Sequence, residues 1–163
     1  FDTESAVWEL ASWQADWRKS VVDGEMILDH AEVSHQHMTY YDYVAEVSIR
    51  PVKIDDYWIG DLGFNNGADG GCGMKVGEDG TVEINCGMGS QKIRLKKSYA
   101  YRLQVIVKGS QIALFANQQP LGYFDIEEYR LYRGPSPKLN LYADGITAFD
   151  DFKVWNLTKY ELP

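Results

Sequence analysis

Cys72-Gly-Met-Lys-Val-Gly-Glu-Asp-Gly-Thr-Val-Glu-Ile-Asn-Cys86 decides the fold. Gly77-Glu78-Asp79-Gly80 is turn chemistry, and Gly80 can take the positive φ that a three-residue hairpin loop requires. With the turn centred on Asp79, Val76 falls opposite Val82, Met74 opposite Ile84 and Cys72 opposite Cys86. Side chains alternate with period two, so these pairs share one apolar face. Lys75, Glu83 and Asn85 form the other, polar face. The stretch reads as an antiparallel hairpin with its two cysteines face to face. A disulfide between Cys72 and Cys86 and a pair of buried thiols both satisfy this register; a bridge implies an oxidising compartment.

Similar alternation recurs on both sides. Tyr43 to Arg50 turns Tyr43, Ala45, Val47 and Ile49 one way and Val44, Glu46, Ser48 and Arg50 the other, with Pro51 as its stop. Trp58 to Asn65 divides into Trp58, Gly60, Leu62 and Phe64 on an inner face and Ile59, Asp61, Gly63 and Asn65 on an outer one. Tyr101, Leu103, Val105 and Val107 point inward from the next long strand. Asp23-Gly24, Lys108-Gly109-Ser110 and Asn117-Gln118-Gln119-Pro120 mark turns between shorter runs, and Leu139 to Ala143 and Phe149 to Asn156 close the chain. Residues 1–20 read as an irregular lead-in with one short strand. His30 to Tyr41 reads as a loop holding a strand fragment, and residues 126–138 as a long loop.

Ten to twelve strands, short turns and no convincing long helix predict an all-β, two-sheet antiparallel sandwich of jelly-roll type. The 163 residues suit one domain spanning 1–163, without repeat or linker. A formal charge of −8 argues against nucleic acid and anionic membranes, which need a positive field. No apolar run is long enough to span a bilayer as a helix. The chain starts with Phe1 rather than Met, which reads as an excised domain or mature fragment. Eleven Tyr and five Trp suit β-structure and also sugar or protein recognition.

The order YDYVAEVSIRP, WIGDLGFNN, a glycine-rich loop, GCGMKVGEDGTVEI, YRLQVIVKGSQIALFANQQPLGYFD and LNLYADGITAFDDFKVW resembles the concanavalin A-like lectin/glucanase superfamily over residues 20 to 157. Within it the chain resembles laminin-G-like and 3-keto-disaccharide-hydrolase-like domains, and carbohydrate-binding modules of bacterial fructan-degrading enzymes. The resemblance implies two facing sheets, one concave, with ligands on the concave face or its rim. Position by position, Glu46, Ser48, Asp61, Asn65, Lys75, Asn140 and Tyr142 would face outward there. Glu46, Asp61, Asn65 and Asn140 supply planar polar groups for sugar hydroxyls, and Tyr142 a ring to stack on the C–H face of a sugar. Asp61 and Asn65 share one face of a strand where such residues are disfavoured, which points to function; ordinary solvated side chains are the alternative. Trp58 belongs by parity to the core.

Catalysis needs two carboxylates across a cleft. Retaining glucanases of this superfamily carry E-x-D-x-x-E on one strand, and no such run occurs here. Glu127-Glu128 are adjacent, and Glu46 with Asp61 on neighbouring strands leaves an enzymatic option. Several members of the superfamily hold a structural calcium, for which Asp150 or Asp151 with Asp23 or Glu25 are the candidates here. His35 and His37 lack the remaining spacing of a zinc site and read as loop histidines. Arg130 and Arg133 among Tyr129 and Tyr132 read as a packed loop or a partner contact. Asn156-Leu-Thr158 fits a glycosylation acceptor.

These readings converge on a non-catalytic carbohydrate-binding module of a larger secreted or surface glycan-active protein, with a polysaccharide or oligosaccharide as partner. A glycoside hydrolase of the same fold and a laminin-G-like adhesion module are the alternatives. The adhesion module predicts an exposed apolar patch in place of a polar pocket.

Overall fold

The computed structural model describes residues 8–10, 16, 18–35, 42–55, 57–67, 70–86, 89–125 and 138–157, without the side chains of 65–67, 70, 71 and 138. Fourteen strands are found among them: β1 Trp8–Leu10, β2 Arg18–Val22, β3 Glu25–Asp29, β4 Glu32–His35, β5 Tyr43–Lys53, β6 Trp58–Gly67, β7 Gly70–Gly77, β8 Thr81–Cys86, β9 Gly89–Arg94, β10 Tyr101–Lys108, β11 Gln111–Ala116, β12 Gln119–Asp125, β13 Lys138–Ala143 and β14 Ile146–Asn156. They form two seven-stranded sheets. The first runs β1-β4-β13-β6-β7-β8-β9 and the second β12-β11-β10-β5-β14-β3-β2, with antiparallel pairing throughout.

The hairpin register holds. Val76 pairs with Val82, Met74 with Ile84 and Cys72 with Cys86, and the two cysteines are bonded with Cα atoms 4.2 Å apart. Gly80 takes φ 88°, and its N–H donates to the Gly77 carbonyl at 3.1 Å. Asp79 in the same turn accepts from the Thr81 N–H at 2.9 Å and the Tyr57 hydroxyl at 2.6 Å. These two donors hold its carboxyl down at about 2.

Alternation carries the core. Val33, Leu141, Leu62, Met74 and Ile84 form one continuous row across five strands of the first sheet, and all are buried. Met26, Phe149, Ile49 and Tyr101 form a matching buried row across the second. Removing such side chains from water is the main term holding the sheets face to face, roughly 1.5–3 kcal/mol per large apolar residue.

Two strand expectations need correction. β5 continues through Pro51 to Lys53. Its pairing with β10 ends at Ile49, and the β14 register slips beside Pro51, so the missing N–H interrupts no regular ladder. In β6 a bulge between Trp58 and Gly60 puts Ile59 and Gly60 both on the inner side. Ile59 is buried in the core, and Trp58 is turned to the outer face. The sequence reading had these two the other way round.

Candidate functional site

The outer face of the first sheet carries two rows of side chains. Glu32, Tyr142, Asp61, Lys75, Glu83 and Lys92 succeed one another across β4, β13, β6, β7, β8 and β9. In the next row stand Ser34, Asn140, Gly63, Gly73, Asn85 and Ser90. The second row therefore has no side chain on β6 or β7. Strands lie about 4.8 Å apart, so the backbones of Asn140 and Asn85 stand about 14 Å apart across a bare glycine floor. A Cβ on Gly73 would meet nothing closer than the Leu62 carbonyl oxygen at 3.7 Å, so the floor opens outward.

Polar groups line one flank. The Asn140 amide donates from Nδ2 to Glu32 at 2.7 Å, while its Oδ1 is buried and accepts nothing. Burial raises the Glu32 carboxyl, and the Asn140 bond partly offsets this. Asp61 is partly buried beside them. Burial pushes its carboxyl up to about 7; Lys75 opposes the rise, and Asp144 and Glu32 reinforce it. Lys75 donates to Asp144 Oδ1 at 3.3 Å and makes an ion pair with Oδ2 at 3.0 Å.

Aromatic rings frame the same patch. The Lys75 ammonium lies 5.2 Å from the Trp58 ring centroid and 5.8 Å from that of Tyr142, and the Lys92 ammonium lies 5.6 Å from Trp58. Tyr57 stands edge-on to Trp58 at 4.8 Å. The outward turn of Trp58 comes from the bulge, and the only trace of it in the sequence is Gly60, a residue that tolerates bulges.

Of the residues singled out from sequence, Asp61, Asn140 and Tyr142 do come together here. Asn65 belongs to β6, and its side chain lies outside the described residues. Glu46 does not join them: it sits on β5 in the second sheet, so it is neither a neighbour of Asp61 nor on its face. It is 7% exposed and accepts from Arg102 and, at 3.0 Å, from Gln104. The pairing of Glu46 with Asp61 as an acid–base couple is thereby removed.

Asp23 and Asp150 belong to no group of three or more metal-ligating side chains among the described residues. Asp23 lies in the β2–β3 turn at φ 51°, and Asp150 Oδ1 takes the N–H of Asp151 at 2.7 Å. No group of three or more His, Cys, Asp or Glu side chains among the described residues is placed to hold a metal. His35 is not a loop residue. It lies in β4, its ring 5.2 Å from that of Trp8 and 6.0 Å from that of Phe152. His37, Glu127, Glu128, the Tyr129–Arg133 cluster and Thr158 fall outside the described residues. The second sheet shows an apolar row on its outer face, Tyr123, Ala113, Ile106, Val44 and Trp155, with Tyr123 75% exposed.

Solved structures place this architecture. The carbohydrate-binding module CBM66 from Bacillus subtilis superposes with a TM-score of 0.67 at 11% identity, covering 91% of this chain and 94% of that one. The fold is the concanavalin A-like jelly roll. The Bacillus licheniformis β-glucanase matches with a TM-score of 0.62 at 12% identity, covering 93% of this chain and 92% of the enzyme. Sheep galectin-11 matches with 0.54 at 16%, covering 75% and 95%. The likeness is one of fold, and such a scaffold hosts binding and catalysis alike. No protein-family model and no curated protein sequence matches the chain.

Proposed function

We propose that this chain is a non-catalytic carbohydrate-binding module whose ligand lies on the outer face of the first sheet. The observation that carries the reading is the glycine floor of Gly63 and Gly73 beside Asp61 and Asn140, whose Oδ1 has no hydrogen-bond partner. A sugar ring can approach the backbone there. Its hydroxyls donate to Asp61, Asn140 borders the floor beside it, and Tyr142 and Trp58 offer ring faces at the flank. Asn65, on the same strand as Asp61, is the further candidate for this set. Glycan-related proteins among the structural neighbours support this class of ligand. The buried Cys72–Cys86 bridge supports an extracellular setting, and membership of a larger glycan-active protein is part of the same proposal.

Affinity electrophoresis through gels containing β-glucan, mannan, fructan, xylan or galactan tests the reading. At least one should retard the domain, and Asp61→Ala with Asn140→Ala should restore free migration. No retardation in any gel, or retardation that survives the double substitution, refutes it.

One observation favours a second reading. A carboxyl at about 7, flanked by Asp144 and Glu32, can deliver a proton near neutral pH, as a glycosidase acid must. Release of new reducing ends from a bound glycan, lost in Asp61→Asn, would establish it in place of pure binding.

A further inference from the structure

The charges on this face are unevenly committed, and this bears on which glycans the binding reading above admits. Two cations stand at the aromatic edge, Lys75 and Lys92, and each already has a carboxylate. Lys75 is 3.0 Å from Asp144, and Lys92 is 3.3 Å from Glu83. Glu32 pairs with no cation in the row, and Asp61 stands opposite Lys75, which it shares with the closer Asp144. Glu32 and Asp61 both lie beside Asn140, whose free atom is an acceptor. On its Asn140 flank the floor is thus bordered by carboxylates, and the two lysines of the row are engaged elsewhere.

A glycan rich in hydroxyl groups brings the donors this border needs. A glycan bearing carboxylate or sulfate brings a charge that meets Glu32 and Asp61 and, among the described residues of this row, no uncommitted cation, an arrangement that selects by repulsion as much as by attraction. We infer that this face takes a neutral glycan and turns acidic glycans away, and that Asp144 enforces the choice by neutralising Lys75. Asp144 is a specificity residue here: it acts through Lys75, which lies at the centre of the outer row.

The probe is a single backbone in two charge states, polygalacturonate and its fully methyl-esterified form, run beside the neutral polysaccharides. The wild-type domain should be retarded by a neutral polymer and run freely in polygalacturonate. Asp144→Asn is nearly isosteric and should tighten the interaction with polygalacturonate by about fivefold, as expected for freeing one partly exposed cation. The gain should fade with added salt and vanish in Asp144→Asn with Lys75→Gln. A gain that persists in the double variant would mean that Asp144 acts by some route other than Lys75, and no gain at all would remove it as the selector. The two readings fail differently. If the wild-type domain binds polygalacturonate through the glycine floor, blocked by Gly73→Leu, glycan binding stands and the exclusion is overturned. If it binds no polysaccharide, neutral or acidic, the binding reading itself falls and the inference with it.

Discussion

Gly63 of β6 pairs directly with Gly73 of β7 on the outer face of the first sheet. Two side-chain-free positions side by side weaken a sheet, because glycine gives up packing and adds chain entropy in the unfolded state. Here they clear the floor between Asn140 and Asn85. Gly73→Leu should therefore fill the floor without harming the fold, since a Cβ there meets only ordinary contacts. The expected outcome is at least a tenfold loss of glycan affinity by calorimetry with an unchanged or slightly raised melting temperature. Full affinity in this variant would exclude the floor as the ligand's seat.

Glu46 gives the contrasting case. Its carboxylate is buried on the second sheet beneath Arg102 and Gln104. Glu46→Ala strands those donors and should cost about 1 kcal/mol in urea unfolding, held down because Arg102 remains partly in water. Glycan retardation should match wild type. A selective loss of binding would return Glu46 to the site.

Asp61 sets a pH dependence of known sign. Its carboxyl is raised in the folded chain to about 7, while in the unfolded chain it titrates near 3.9. The folded state then holds the proton more tightly, so ionising Asp61 destabilises the fold as pH rises from about 4 to about 7. Asp61→Asn removes that penalty. Its melting temperature should exceed that of wild type at pH 8, and the margin should shrink to nothing by pH 4. A margin that stays constant across this range would show that Asp61 ionises normally.

Asp79 works in the opposite direction. Held at about 2 by the Tyr57 hydroxyl and the Thr81 amide, it contributes stability above pH 4 that is lost as pH falls toward 2. Tyr57→Phe removes the larger of these influences and should move the Asp79 titration upward in carbon-detected NMR. An unmoved titration would assign the depression to the turn backbone alone.

The Cys72–Cys86 bridge closes a loop with a sequence separation of 14, for which chain entropy predicts about 3 kcal/mol of stabilisation. Cys72→Ala with Cys86→Ala should lower the urea midpoint accordingly while leaving the hairpin register, which the Val76/Val82 and Met74/Ile84 pairs also specify. Because both sulfurs are buried, reductant should act on the wild-type domain only under unfolding conditions. Rapid reduction in native buffer would contradict that burial.

Much of this architecture is legible in the sequence because burial imposes period two on every long strand. Val76/Val82, Met74/Ile84 and Cys72/Cys86 could be paired from the turn outward, since a slip of one residue would expose all six side chains. Alternation does not say which sheet a strand joins. Glu46 and Asp61 have the same outward parity, yet β5 and β6 lie in different sheets. Parity also fails silently at a bulge, which is why Trp58 read as core and Ile59 as surface. Nothing local in the sequence marks Asp144, because its partner is a lysine 69 residues away.

The strand order has a consequence for the chain as it is made. β13 lies between β4 and β6, and β14 lies between β3 and β5, so the two strands that follow all the other described ones in the sequence are interior strands, one in each sheet. Until they emerge, β1 and β4 have no hydrogen-bonded route to the β6–β9 meander, which is built from consecutive hairpins, and β2 and β3 have none to β5. Asn140, Tyr142 and Asp144 arrive with the same segment. A nascent chain halted before residue 138 holds the glycine floor with only half its border, so the sugar-facing surface is completed in the step that locks the sandwich.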